Sequence, residues 1–155
     1  MINVVDAAKY LAYKYYRYYN EQISEMKLHR LLYFAQRESL VRTDRPLFLS
    51  HIQGWRFGPV IPVLRRQYQT ILFNNRVSIN KIDKDILEYV LKTYGKKNEW
   101  SLSRLTLGEY SWKKSRMGIG DYDYSSKTIS ISDIRVDALR IRDRRDMMHS
   151  LVETQ

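Results

Sequence analysis

The chain contains no cysteine, which excludes a disulfide framework and any thiolate metal site. It also lacks an apolar run near the roughly 18 to 20 residues that a membrane-spanning helix needs. Its first residues, Met1-Ile2-Asn3-Val4-Val5-Asp6, carry no basic region and no small-residue cleavage site. A cytoplasmic location is therefore expected rather than secretion. The three histidines, His29, His51 and His149, are scattered with no paired ligand spacing, so no metal site is assigned. Neither a Gly-x-Ser-x-Gly elbow nor a Gly-x-x-x-x-Gly-Lys phosphate loop is present, and no catalytic or cofactor-binding residue follows from the sequence. Gly118-Ile119-Gly120-Asp121-Tyr122-Asp123 sets two carboxylates after two glycines. Without a strand before it or a helix start after it, this reads as a flexible loop. An enzyme is not expected.

What is present is a folding composition: 155 residues, 44% hydrophobic and 13% aromatic, sized for one domain over residues 1–155 with its own core. The net charge of +10 favours acidic partners: a nucleic acid, an acidic protein or anionic lipid. The excess falls late, in Lys113, Lys114, Arg116, Arg135, Arg140, Arg142, Arg144 and Arg145.

Apolar spacing predicts a helix over 4–19 on Val4, Val5, Ala8, Leu11, Ala12, Tyr15 and Tyr19. Its many tyrosines, Tyr13 and Tyr16 among them, spread around the helix and cannot all enter one core. They divide between core and rim, or form an adhesive face for another protein. Ser24 caps a second, amphipathic helix ending near Arg42, with Leu28, Leu31, Leu32, Ala35 and Leu40 inward. Residues 47–57 read as a short β-hairpin or extended segment, and Gly58-Pro59 as a hinge that starts a third helix. A connector over 71–80 has β character around Val77 to Ile79. Helices are expected over 83–94, stopped by Gly95, and over 101–109, then a basic turn at Trp112. A last helix over 134–148 is capped by Ser132-Asp133, with Ile134, Ala138, Leu139 and Ile141 inward. The expected fold is mainly α with minor β, about six helices in one compact unit.

One block carries most of the specific information. It runs Lys27, Leu28, Arg30, Leu31, Leu32, Tyr33, Ala35 and Gln36, then Pro46-Leu47-Phe48, then Trp55, Gly58, Pro59, Val60, Pro62 and Tyr68. It resembles the Panacea domain of toxin–antitoxin systems, a family also described as SocA-like or phage-associated GepA-like. That family's pattern is Lys-Leu-x-Lys-Leu-Leu-Tyr-x-Ala-Gln, Pro-Leu-Phe, and Ala-Trp-x-x-Gly-Pro-Val-x-Pro. Leu105, Thr106 and Trp112 continue the likeness, as does the Ile131-Ser132-Asp133 cap. Gly54 stands where the family has alanine, Leu107 where it has histidine, and Ser111 where it has proline before the Trp. The resemblance covers roughly Val4 to Leu139.

The resemblance implies an antitoxin that neutralises a cognate toxin, usually encoded beside it, often on a prophage or other mobile element. Lys27, Leu28, Leu31, Leu32, Tyr33, Trp55, Gly58, Pro59, Pro62 and Trp112 are assigned to the scaffold. Tyr13, Tyr16, Arg56, Arg65 and Arg66 are the candidates for toxin contact, since exposed aromatics and arginines anchor such surfaces. The alternative is a nucleic-acid-binding regulator using Arg140, Arg142, Arg144 and Arg145 of the last helix. The partners expected are thus a toxin protein or a nucleic acid, with no membrane and no cofactor. An oligomer is compatible with either reading.

Overall fold

The computed structural model describes residues 1–153. Seven helices and one two-stranded antiparallel sheet make up the described residues. In chain order they are α1 (Val4–Tyr19), α2 (Glu25–Thr43), β1 (Gln53–Trp55), β2 (Gly58–Val60), α3 (Pro62–Phe73), α4 (Lys81–Tyr94), α5 (Glu99–Leu107), α6 (Tyr110–Ser115) and α7 (Ile131–Glu153). The fold is mainly α, as expected, with α6 as a full helix where the sequence suggests only a turn. No helix of the described residues is long and apolar enough to cross a membrane.

Local chemistry sets the boundaries. Asn3 and Ser24 accept backbone N–H groups at the starts of α1 and α2, which satisfies donors that a helix leaves open. Both helices end on a left-handed residue, Asn20 at φ 55° and Asp44 at φ 58°, a conformation that Asn and Asp tolerate. The cap of α7 is Ser130, whose hydroxyl accepts Asp133 N–H at 3.1 Å. It is not the Ser132-Asp133 pair, and α7 begins earlier and ends later than expected.

α2 is the central element. It packs against α1, α3, α4, α5, α7 and β2, and every side chain from Lys27 to Val41 is buried. The amphipathic reading of this helix is therefore corrected: neighbours cover its polar face too. Most of its buried polar groups are matched to partners, while Arg30 Nε and Arg37 Nε have none. Lys27 Nζ donates to Tyr15 Oη and Gly95 O, both at 3.0 Å. Gln36 holds the 47–48 segment by donating to Phe48 O and accepting from Leu47 N and Phe48 N. Glu38 receives both Arg42 and a bidentate Arg145.

The hairpin pairs Gln53 with Val60, Gly54 with Pro59 and Trp55 with Gly58. The Gly-Pro hinge is thus not a helix start: it is strand β2, and α3 opens on Pro62. Pro59 is tolerated there because Gly54 sends its N–H away from β2, to Lys127 O at 2.9 Å, so this pair needs no donor from proline. Ile129 N–H returns to Ile52 O at 2.7 Å, laying residues 127–129 along the hairpin. The described residues 74–80 contain no strand, since α3 runs on to Phe73 and Val77 and Ile79 pack singly on the core. On α7, Leu139 is 45% exposed rather than inward.

Candidate partner-binding cleft

The hairpin tip, the first turn of α2, the start of α3 and the 118–127 loop enclose a cleft of about 500 Å³. Trp55, Phe57 and Tyr124 supply its aromatic walls and Arg30, Arg56 and Arg65 its cations. Arg65 lies over the Trp55 ring, 5.0 Å from its centroid, and reaches Glu25 at 3.7 Å. Arg56 lies 5.1 Å from the centroid of Phe57 and donates to Tyr122 O at 3.4 Å. Tyr124 meets Trp55 edge-on at 5.5 Å. Outside the cleft, Phe57 meets the exposed ring of Trp100 at 6.2 Å.

Three groups, two buried and one half-buried, hold this arrangement. Trp112 donates its indole N–H to Trp55 O at 2.8 Å. Arg116, only 5% exposed, donates to Gly54 O, Gly120 O and Asp123 O. The 118–127 loop, expected to be flexible, is thereby tied to β1 through its own backbone carbonyls. Arg30 reaches from α2 to Pro59 O at 3.0 Å and Phe57 O at 2.6 Å, bracing the turn from beneath. Gly58, at φ +134°, lies flat on that guanidinium, and a Cβ there would fall 2.8 Å from Arg30 Nε.

The electrostatics of the floor are unusual. Arg30 is 3% exposed, and its Nε has no hydrogen-bond partner. Its other donors end on neutral carbonyls, and no carboxylate of the described residues ion-pairs with it. Burial lowers its pKa to about 10, with Glu99 offsetting part of the effect. His29 lies beside it. Ile61 N–H donates to His29 Nδ1 at 3.1 Å, so the ring proton sits on Nε2 and points to Glu25 at 3.0 Å. Burial pushes the His29 pKa down to about 4 against the pull of Glu25, and the ring is neutral at physiological pH.

The remaining candidates lie elsewhere. Arg56 and Arg65 converge on the cleft, but Arg66 borders a separate recess with His51 and Pro62. Tyr13 and Tyr16 are exposed on α1, outside the cleft. Tyr13 accepts from Arg17 at 3.2 Å. Their neighbours Tyr10 and Tyr18 are committed to Glu88. Of the four candidate arginines on α7, Arg142 donates to Leu40 O and Val41 O at the end of α2, and Arg145 to Glu38. They do not form one free basic face, because α7 packs along α2 and uses these guanidiniums as internal donors. Arg140 and Arg144 alone of the four are exposed.

The scaffold residues sit as follows. Leu28, Leu31, Leu32 and Tyr33 are fully buried. The Tyr33 hydroxyl is 2.6 Å from Ser111 Oγ. Ser111 N–H donates to Asp137 at 2.9 Å, a bond that proline at this position would not provide.

Sequence reasoning missed Arg30, His29, Arg116 and Asp137 as site-building residues. The available signal was a set of charged side chains inside apolar stripes. Among the described residues no group of three or more His, Asp or Glu is placed to hold a metal ion.

The family model for antitoxin SocA-like proteins, Panacea domain, matches residues 28–113. Antitoxin SocA of Caulobacter vibrioides (strain NA1000 / CB15N) is 42% identical over 66 residues, 42% of this chain and 34% of that protein. The match thus spans about a third of that relative's length. No solved structure matches the chain significantly. The matched block runs from α2 to α6 and holds Arg30, Trp55, Arg56, Phe57 and Arg65, while Tyr124 and α7 lie beyond it. Because the family model covers more than half of the sequence, the chain belongs to the antitoxin SocA-like, Panacea domain family.

Proposed function

We propose that this protein is a non-catalytic antitoxin that neutralises a toxin by direct protein–protein contact, with the Trp55–Arg65 cleft as its contact surface. Family membership supports the antitoxin role. The observation that carries the surface is the convergence of Trp55, Phe57 and Tyr124 with Arg56 and Arg65 in one recess. Trp, Tyr and Arg dominate binding hot spots: the two aromatics bury large area with little loss of rotamer freedom, and Arg adds a planar fork of donors. The cleft is pre-organised by Arg30, Trp112 and Arg116, which lowers the ordering cost of association. The charge of +10 steers encounter with an acidic toxin more than it sets affinity.

The nucleic-acid reading carries less, because Arg142 and Arg145 spend their donors inside the protein. Co-expression with the product of the neighbouring gene tests the reading. That product alone should arrest growth, and this chain should restore it. A neighbour that is harmless alone, or toxicity that this chain leaves untouched, would refute it.

A further inference from the structure

The cleft is charge-imbalanced in a way that defines what fits it. Three guanidiniums line it, those of Arg30, Arg56 and Arg65, against the single carboxylate of Glu25. That carboxylate already accepts from His29 and faces Arg65. Arg30 is the decisive group. It is buried, ends on two neutral carbonyls, and retains an unpartnered Nε. A buried cation with no ion-paired carboxylate gains from any anion placed nearby, and in a low-dielectric recess that gain needs no direct contact. Around the cations, Met26, Trp55, Phe57, Val60 and Tyr124 give apolar wall. The volume of about 500 Å³ lies in the range of ligand pockets.

Resting on the antitoxin reading, we propose that the cleft takes an acidic segment of the partner protein. A carboxylate faces the Arg30–Arg65 side, and an adjoining apolar side chain packs on Trp55, Phe57 and Tyr124. A nucleic acid fits the same charge but not the rings. Arg65 covers a face of Trp55 and Arg56 lies against Phe57. Trp55 and Tyr124 meet at 73°, which leaves no parallel slot for a base to stack in.

The test is an NMR titration of the intact ¹⁵N-labelled protein, following the Trp55 indole N–H among the three tryptophans. The probes are acetyl-Asp-Phe-Glu-Leu-amide, its isostere acetyl-Asn-Phe-Gln-Leu-amide, and a short oligothymidylate. The acidic peptide should shift Trp55 and the 122–125 amides. Affinity should fall about tenfold or more for the isostere, and similarly for Arg65→Glu or the milder Arg56→Gln. Equal binding of the isostere, tighter binding of the oligothymidylate at the same resonances, or shifts confined to α7 would each overturn the proposal. The growth assay separates this claim from the one beneath it. If the wild-type chain fails to restore growth, the antitoxin reading falls. If wild type and the Arg56→Glu/Arg65→Glu double variant restore it equally, the acidic-segment proposal falls together with the cleft as contact surface, and the antitoxin role stands.

Discussion

Lowering the pH from about 7 to 4.5 should destabilise this protein through one buried imidazole, that of His29. The ring is 2% exposed and accepts Ile61 N–H on Nδ1. Protonating Nδ1 would remove that acceptor and set two donors against each other in a buried site. Burial holds the pKa at about 4, against 6.5 in the unfolded chain. The folded value is depressed, so the unfolded chain binds more protons between these limits. The contribution is therefore complete above pH 6.5 and is lost as pH falls toward 4. At about 1.4 kcal/mol per pKa unit the whole effect is about 3 kcal/mol, of which roughly 2 is lost by pH 4.5. Urea unfolding of wild type and His29→Asn across this range measures it, because the Asn carbonyl oxygen can take the place of Nδ1 without titrating. The difference between the two proteins is the quantity to read. Glu109, which burial pushes up to about 7, contributes the opposite slope: its stabilisation is full below 4.5 and declines as pH rises through 7. That slope is common to both proteins and cancels. Parallel pH profiles for the two would refute a neutral, buried His29.

Other substitutions probe the scaffold. Gln36→Leu keeps the volume but strands Leu47 N, Phe48 N and Phe48 O, so chemical denaturation should show a loss of at least about 3 kcal/mol. Gly54→Ala restores the residue typical of the family, yet its Cβ would collide with Ser115 Oγ. It should cost about 1–3 kcal/mol, and adding Ser115→Ala should recover part of that in a double-mutant cycle. Arg142→Ala, which strips Val41 O of its donor and leaves Leu40 O with Asp44 N–H alone, should lower stability by about 1–2 kcal/mol. Arg144→Ala on the exposed side of the same helix should stay within about 0.5 kcal/mol.

The sequence was legible where local chemistry decides. α1, α2 and α4 fall close to the spans that apolar spacing predicts, with Ser24 capping α2 and Gly95 ending α4 as read. It misled where a residue has two uses. Gly58-Pro59 suits a helix entry as well as a strand whose proline needs no donor, and only the pairing with Gly54 decides between them. Arg56 and Arg65 could be picked as exposed cations, but their meeting at Trp55 depends on the hairpin turning back on itself. Tyr124 reaches that site from far along the chain, held by Arg116 through backbone carbonyls that no side-chain pattern encodes. Arg140, Arg142, Arg144 and Arg145 looked like one group because spacing does not reveal that α2 offers Glu38 and two terminal carbonyls to Arg142 and Arg145.

A partner seated on the Trp55–Arg65 cleft, as proposed, is tested most directly by hydrogen–deuterium exchange of this protein alone and with the toxin that the proposed function requires. Protection gained on binding should concentrate in residues 53–60, the first turns of α3, and residues 122–125. Protection confined to α7 or to the tyrosine face of α1, with the hairpin exchanging as it does in the free protein, would contradict it.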